Sequence, residues 1–350
     1  MKKNLTRILL GLFIIAVVLM GCTKVTPPAP AVSSGDTSGE AQAAGGFQYA
    51  KMKIRFFAGG DPGDAFASVV YKGAMDAANM LKPYGVEVEY VFSGWQTELM
   101  VSQLRDAIAA RVDAICMMGH AGDDAIMPLA EEAKQAGIIM MYQNVNVAKV
   151  RERFGGGYTG VVDLSAQGVA LGNAAINELG LKPGDRAIVF GAWGEPGRYL
   201  REEGTAVAFE RYGMRVERIK APPEASANPQ MMLPIITAQL QSFPETKVIV
   251  YTGSQLLSAA GSYMEANGIQ PGTIYNIGFD LSDLVLDGFD KGHVFLTADQ
   301  QPYLQGFMPI LNAFLTKNFE LGGLEIETGA GLVNKTNYRA VDSLVTQGYR

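Results

Sequence analysis

From residue 52 onward, short apolar runs alternate with stretches whose apolar residues recur at helical spacing. "KIRFFA" reads as a strand, and 64–82 places Phe66, Val69, Val70, Ala74, Ala77 and Leu81 on one helix face. "VEVEYVF" alternates as a strand does, and 96–110 is amphipathic through Leu99, Val101, Leu104 and Ile108. "VDAICMM", a helix at 124–136 and "GIIMMY" follow. The alternation then restarts, with "YTGVVD" leading to a helix at 165–179. "RAIVFGA", "MRVERIK", "KVIVYTG", "TIYNIGFD" and "HVFLTA" are the further strands. Helices are predicted near 196–212, 229–242, 254–267, 281–290 and 301–318. Strands that read as near-continuous apolar runs, each followed by a helix, imply parallel sheets covered on both faces. Two successive sets of four or five such units, without a short repeat, predict two α/β domains.

The N-terminus follows another pattern. Lys2, Lys3 and Arg7 precede an apolar run from Ile8 to Met20, which is short for a membrane span and fits the core of a signal peptide. The run ends "LMGC", which resembles a bacterial lipobox with lipid on Cys22, although Met20 is off consensus; an ordinary secretory signal is the alternative. Acyl chains on Cys22 would hold the protein at a membrane without a spanning helix. Residues 23–49, rich in Pro, Ala, Ser and Gly, read as a flexible tether. The expected division is 1–21 signal, 22–51 tether, 52–162 with 301–329 as one lobe, and 163–300 with 330–350 as the other.

Composition adds limits. The 350 residues carry a formal charge of −6. Losing the three cations of the signal would take this to about −9, which argues against nucleic acid as a partner. Cys116 would be the only other cysteine, so no intrachain disulfide is expected and the core alone must stabilise the fold. Cys116 and Met117, Met118, Met140 and Met141 sit in strand-like runs and read as core filling.

Open α/β sheets bind ligands where the loops leave the carboxyl ends of their strands. Here those loops are "GGDPGDAF", "FSGW", "MGHAGDD", "YQNVN", "GAWGEPGR", "YTGSQ", "GFDLSD" and "ADQQ". They hold acids, amides, two tryptophans and His120, without a nucleophile beside a base. "GAWGEPG" lacks the spacing of a dinucleotide loop, and there is no Gly-Lys-Ser/Thr loop and no Gly-x-Ser-x-Gly elbow. The cluster of His120, Asp123 and Asp124 lacks specific metal spacing. A binding protein is expected, with no enzyme activity, cofactor or metal.

At these loops the chain resembles the ribose-binding-protein branch of periplasmic sugar-binding proteins, the solute receptors of ABC importers. The resemblance rests on "DAFASVVYKGAMDAA", "REEGTAVAF", "IGFD" and "TADQQP" in order, and runs from Lys53 to the C-terminal "GYR". It implies a type I periplasmic binding fold whose two Rossmann-like, doubly wound parallel-sheet domains, joined by three crossings, close on a sugar. The hinges would fall near Val162–Asp163, Gln300–Gln301 and Gly329–Gly331. Carried over, Asp64 is a hydroxyl-binding residue, Phe66 a ring against the sugar, Arg201 an arginine from the second domain, Asp280 the acid of the "GFD" motif and Gln300 an amide near a hinge. Gln143 and Asn144 stand where an Asp-Arg pair is usual, Gly253 and Ser254 where Asn-Asp is common, and no ring lies near Ala225. The resemblance also implies a membrane permease, its ATPase and a monomer. A sensor feeding a chemoreceptor or sensor kinase, or a binder of nucleosides, polyols or a signal molecule, are the alternatives.

The chemistry agrees with a hydroxyl-rich ligand. A buried hydroxyl without a partner costs about 1–3 kcal/mol, so a sugar site needs dense, paired donors and acceptors. Asp280, Asp64, Arg201, Gln143, Asn144, Ser254 and Gln300 are such groups. Phe66, Trp95 and Trp193 can cover C–H faces, with Trp193 a substitute for the missing ring, and His120 is a further candidate. Each has a plainer role open to it. Asp64 and Asp280 can cap helices, Arg201 can pair with Glu202 or Glu203, Phe66 can be core, Trp95 rim, and His120 a loop residue.

Overall fold

The apolar runs form twelve strands in two sheets, described by a computed structural model for residues 47–194, 199–226, 228–329 and 331–350. The expected signal segment, Cys22 and most of the tether lie outside the described residues. The first lobe is built from β1 (Met52–Gly59), α1 (Ala65–Leu81), β2 (Val86–Phe92), α2 (Thr97–Ala109), β3 (Ala114–Met118), α3 (Gly122–Gln135), β4 (Ile139–Asn144), α4 (Ala148–Phe154) and β5 (Gly157–Gly160). The second holds α5 (Leu164–Glu178), β6 (Arg186–Gly191), α6 (Leu200–Tyr212), β7 (Arg215–Lys220), α7 (Met232–Ser242), β8 (Thr246–Val250), α8 (Ser254–Ser258), α9 (Ala260–Ala266), β9 (Tyr275–Phe279), α10 (Asp283–Asp290) and β10 (Val294–Asp299). The chain returns as α11 (Pro302–Phe319) and β11 (Glu325–Glu327) to the first lobe. It then ends as β12 (Gly331–Asn334) and α12 (Asp342–Thr346) in the second.

The sheet orders are β11-β5-β4-β3-β1-β2 and β12-β10-β9-β8-β6-β7. All pairings are parallel except β10 with β12. The chain therefore passes between sheets after β5, after β10 and after β11. α1 and α11 cover one face of the first sheet through Phe66, Val70, Ala74, Ile310 and Phe314. α2, α3 and α4 cover the other through Leu104, Ile126, Leu129 and Val150. Cys116 is buried on the α1 and α11 face as a free thiol, and burial pushes its pKa up. In the second lobe α5 and α6 lie on one face and α7 to α10 with α12 on the other.

Three features depart from the sequence pattern. The helix expected over 254–267 breaks at Ala259, where the Ser258 hydroxyl donates back to the Ser254 carbonyl at 2.6 Å, a bond that bends helices. β11 and α4 are further elements, of three and seven residues. Tyr49, placed in the tether, stacks on Phe314 at 5.6 Å, and Ala50 N–H donates to Asn318, so the first lobe begins earlier. Among the described residues no helix is long and apolar enough to cross a membrane.

Helix packing in each lobe places its site residues. Mutual glycines let two helices cross at backbone contact: Gly73 on α1 with Gly306 on α11, and Gly168 on α5 with Gly204 on α6. A Cβ at Gly306 would meet the Val70 carbonyl at 1.9 Å, and one at Gly168 the Arg201 carbonyl at 1.8 Å. In both lobes, the helix leaving a crossing (α11, α5) is thus fitted to the helix whose N-terminus carries candidate residues (α1, α6).

Candidate functional site

The candidate residues gather at the carboxyl ends of the strands. Among the described residues, Trp95, Asn144, Asp280 and Gln301 there have φ between 51° and 69°, the left-handed region that side chains enter at a cost of about 1 kcal/mol or more. Such backbone persists where surrounding contacts hold it; Asn144 is the last residue of β4, and the other three follow β2, β9 and β10.

Asp280 directly follows the buried strand β9. It does not cap α10; Ser282 does, accepting from Val285 N–H. Asp280 is 5% exposed. Its Oδ1 accepts from Gln300 Nε2 at 2.7 Å, and its Oδ2 lies 3.8 Å from an Arg201 terminal nitrogen. Burial pushes its carboxyl up to about 6, against the opposing pull of Arg201 and Gln300, and Asp299 and Asp64 push the same way as burial.

Arg201, in the first turn of α6, is fixed on several sides. Its guanidinium stacks on the Phe279 ring at 4.4 Å, donates to the Thr252 carbonyl and bonds Glu202 at 3.3 Å. Glu203 pairs instead with Arg218. At 3.8 Å, Arg201 and Asp280 attract without a direct hydrogen bond. Ser254, first residue of α8, has a buried Oγ without a hydrogen-bond partner among the described residues.

The first lobe supplies an aromatic wall. Trp95 lies over the Gly59–Gly60 turn, where a Cβ on either glycine would meet its ring at 2.6 Å. Its ring centroid is 6.0 Å from Phe66 and 5.3 Å from His120. Phe66 is mostly buried in the α1 core as well as touching this wall. Asp64 caps α1, with Oδ1 accepting from Phe66 and Ala67 N–H at 2.9 and 2.8 Å. Its other oxygen takes Trp95 Nε1 at 3.1 Å and, from the second lobe, Gln255 Nε2 at 3.0 Å. Gln143 is buried in β4, donating to the Phe57 carbonyl at 3.0 Å, with its Oε1 unpartnered among the described residues. Asn144 Nδ2 reaches Gln300 Oε1 at 3.2 Å and Gln305 Oε1 at 3.0 Å.

Asp280, Arg201, Gln300 and Asn144 thus form one polar cluster, and Asp64, Phe66, Trp95 and His120 an adjoining one. Trp193 sits elsewhere in the second lobe: its Nε1 donates to the Ile219 carbonyl at 3.0 Å, with Arg218 over its ring. The loop after it, 195–198, lies outside the described residues. Gln255 and Gln305 are polar members the sequence reading passed over. Gln255 does fall in the strand-end loop "YTGSQ", whereas Gln305 sits inside a helix with no local signal. Asp123 is engaged in holding α4, accepting from Val150 N–H at 3.0 Å. Among the described residues, no three His, Cys, Asp or Glu side chains gather as metal ligands would.

Residues 56–316 match the family model described as periplasmic binding protein domain. The xylose/arabinose-binding protein of Sulfolobus acidocaldarius is 30% identical over 108 residues, 29% of this chain and only 27% of that relative. A carbohydrate transporter from Acidothermus cellulolyticus 11B, solved with myo-inositol, superposes with TM-score 0.72 and 22% identity, covering 86% of this chain and all of that one. An ABC transporter periplasmic solute-binding protein from Actinobacillus succinogenes 130z with bound D-allose gives 0.71 and 23%, covering 83% of this chain and all of that one. The two six-stranded, mostly parallel sheets are the type I periplasmic binding fold, and the chain belongs to the periplasmic binding protein family.

Proposed function

We propose that this protein captures a neutral monosaccharide, or a small molecule equally rich in hydroxyls, between its two lobes and presents it to an ABC permease. The observation that carries the reading is the pairing of a buried Asp280–Gln300–Arg201 cluster in one lobe with the Asp64–Trp95–Phe66 wall in the other. A sugar hydroxyl between Asp280 and Arg201 can donate to the carboxylate while accepting from the guanidinium. The buried Ser254 Oγ and Gln143 Oε1 are further groups that such a ligand would satisfy. Aromatic faces cover C–H patches and exclude water. The Asp280 carboxylate, with those of Asp299 and Asp64 near it, disfavours phosphorylated or acidic sugars.

Binding works through closure. Half the groups belong to each lobe, so a ligand makes all its bonds only when the lobes meet, and it shifts the population toward that state. The cyclitol and sugar complexes of the similar solved proteins support the ligand class. Export and anchoring through lipidated Cys22 complete the proposal, resting on the "LMGC" sequence. A polyol is the second reading, favoured by the inositol complex of one similar structure. A thermal-shift screen of pentoses, hexoses, deoxysugars, polyols and nucleosides tests both. Stabilisation by one sugar or cyclitol, abolished in Asp280→Ala, is expected; stabilisation by a nucleoside alone would reject both.

A further inference from the structure

Gln305 is fully buried on α11, five residues beyond Gln300. Its Nε2 faces the Gln300 backbone carbonyl at 3.0 Å, Gln300 Oε1 at 3.2 Å and Thr328 Oγ1 at 3.2 Å. Its Oε1 accepts from Asn144 Nδ2, which also reaches Gln300 Oε1. A side-chain amide can sit in either of two flipped orientations, and its neighbours decide which. With two NH₂ groups aimed at its Oε1, Gln300 must turn its own NH₂ toward Asp280. The opposite flip would set an oxygen against a carboxylate and NH₂ against NH₂.

Through neighbouring bonds this network reaches all three crossings between the lobes. Gln300 stands in the crossing after β10. Thr328 stands in the one after β11, where its carbonyl also accepts from Gln301 Nε2 at 2.8 Å. The Tyr158 hydroxyl lies 2.6 Å from the Asn144 carbonyl and 3.0 Å from that of Val161, in the crossing after β5.

We propose that Gln305 is a positioning residue of the ligand site: without touching the ligand, it fixes the Gln300 amide so that a donor stays on Asp280, and it ties that donor to the three crossings. This rests on reading Asp280 as a ligand-binding group. The charged groups facing Asp280 are Arg201 from α6, Asp299 from β10 and Asp64 from the cap of α1. Gln305 leaves those in place and acts only through Gln300.

The test follows the Asp280 carboxyl-carbon NMR signal with pH in the ligand-free, full-length protein, so it does not depend on which ligand binds. Gln305→Met keeps length and removes both hydrogen-bonding atoms. Its Asp280 midpoint is expected to rise by at least about half a pH unit, because a donor to the ionised form is lost. In a Gln300→Met background the same change should add no further shift. A packing role alone would lower the melting temperature and leave the midpoint where it was. An unmoved midpoint in folded Gln305→Met, or additive shifts, would overturn the proposal. In the unaltered protein, the side-chain amide signals of Gln300 and Gln305 should both shift through the Asp280 midpoint. A Gln305 signal flat across it would overturn the proposal equally, which covers the case of a variant that does not fold. Failure of every sugar to bind the unaltered protein would sink the ligand reading and leave these titrations standing.

Discussion

Gln255 of the second lobe donates to Asp64 of the first across the gap between them, at 3.0 Å. Asp64 also caps α1 and receives Trp95, so one carboxylate serves helix, wall and lobe contact together. Variants can separate these roles. Gln255→Ala removes only the bridge, and ligand release in stopped flow is expected to quicken about three- to tenfold with little change in melting temperature. Asp64→Ala also removes the cap and should lose about 1 kcal/mol of stability, whereas Asp64→Asn should retain most of it. Equal melting temperatures for Asp64→Ala and Asp64→Asn would show that the cap contributes nothing.

Asp280 is expected to make binding pH-dependent. Its carboxyl is pushed up to about 6 from an ordinary value of 3.8. Below that midpoint it takes a proton and loses acceptor capacity, so affinity should fall by up to about tenfold per pH unit on acidification. The sign for stability is the opposite. Between about pH 4 and 6 the folded chain holds a proton that the unfolded chain has released, so the ligand-free protein loses stability as pH rises through that window, by up to about 3 kcal/mol. Urea denaturation at pH 4.5 and pH 7 measures this, and Asp280→Asn should remove that part of the slope. A variant with the unaltered protein's pH dependence would show that Asp280 is not the group titrating.

The crossed glycines test how the lobes hold their site residues. Gly168→Ala forces a methyl against the Arg201 carbonyl, and Gly306→Ala one against that of Val70. Each is expected to lower the urea midpoint, by about 1–3 kcal/mol of stability. Each should also weaken ligand binding, since α6 carries Arg201 and α1 carries Asp64 and Phe66. Unchanged affinity in a destabilised Gly168→Ala would detach Arg201 from the site.

The two tryptophans give a reporter. Trp95 stands in the aromatic wall, while Trp193 is bonded to the backbone of its own sheet. Ligand is expected to change the fluorescence of the protein and of Trp193→Phe, and to leave Trp95→Phe nearly silent. The reverse pattern would move the ligand toward Trp193.

The strands were legible because residues buried on both sheet faces must be apolar, as in "AICMM" and "AIVFG". Asp280 stood out for a related reason: a carboxylate directly after a buried strand is costly unless it has partners. Asp64 suited both a helix cap and a polar site, and its two oxygens divide those duties. Other features left no local trace. β11, "EIE", is too short to show alternation and is a strand only because β5 lies beside it. Gln305 reads as an ordinary helix amide, and its partner Asn144 lies 161 residues away; Gln255 does fall in a strand-end loop, but nothing local points to its partner Asp64, 191 residues away.

Calorimetric titration of the protein and of Asp280→Ala, with the sugar or cyclitol that stabilises the protein most, addresses the two-lobe grip directly. Micromolar or tighter binding to the unaltered protein is expected, with a loss of at least about tenfold in the variant, the loss that a hydrogen bond to a charged group implies. Equal affinity in the two proteins would contradict it.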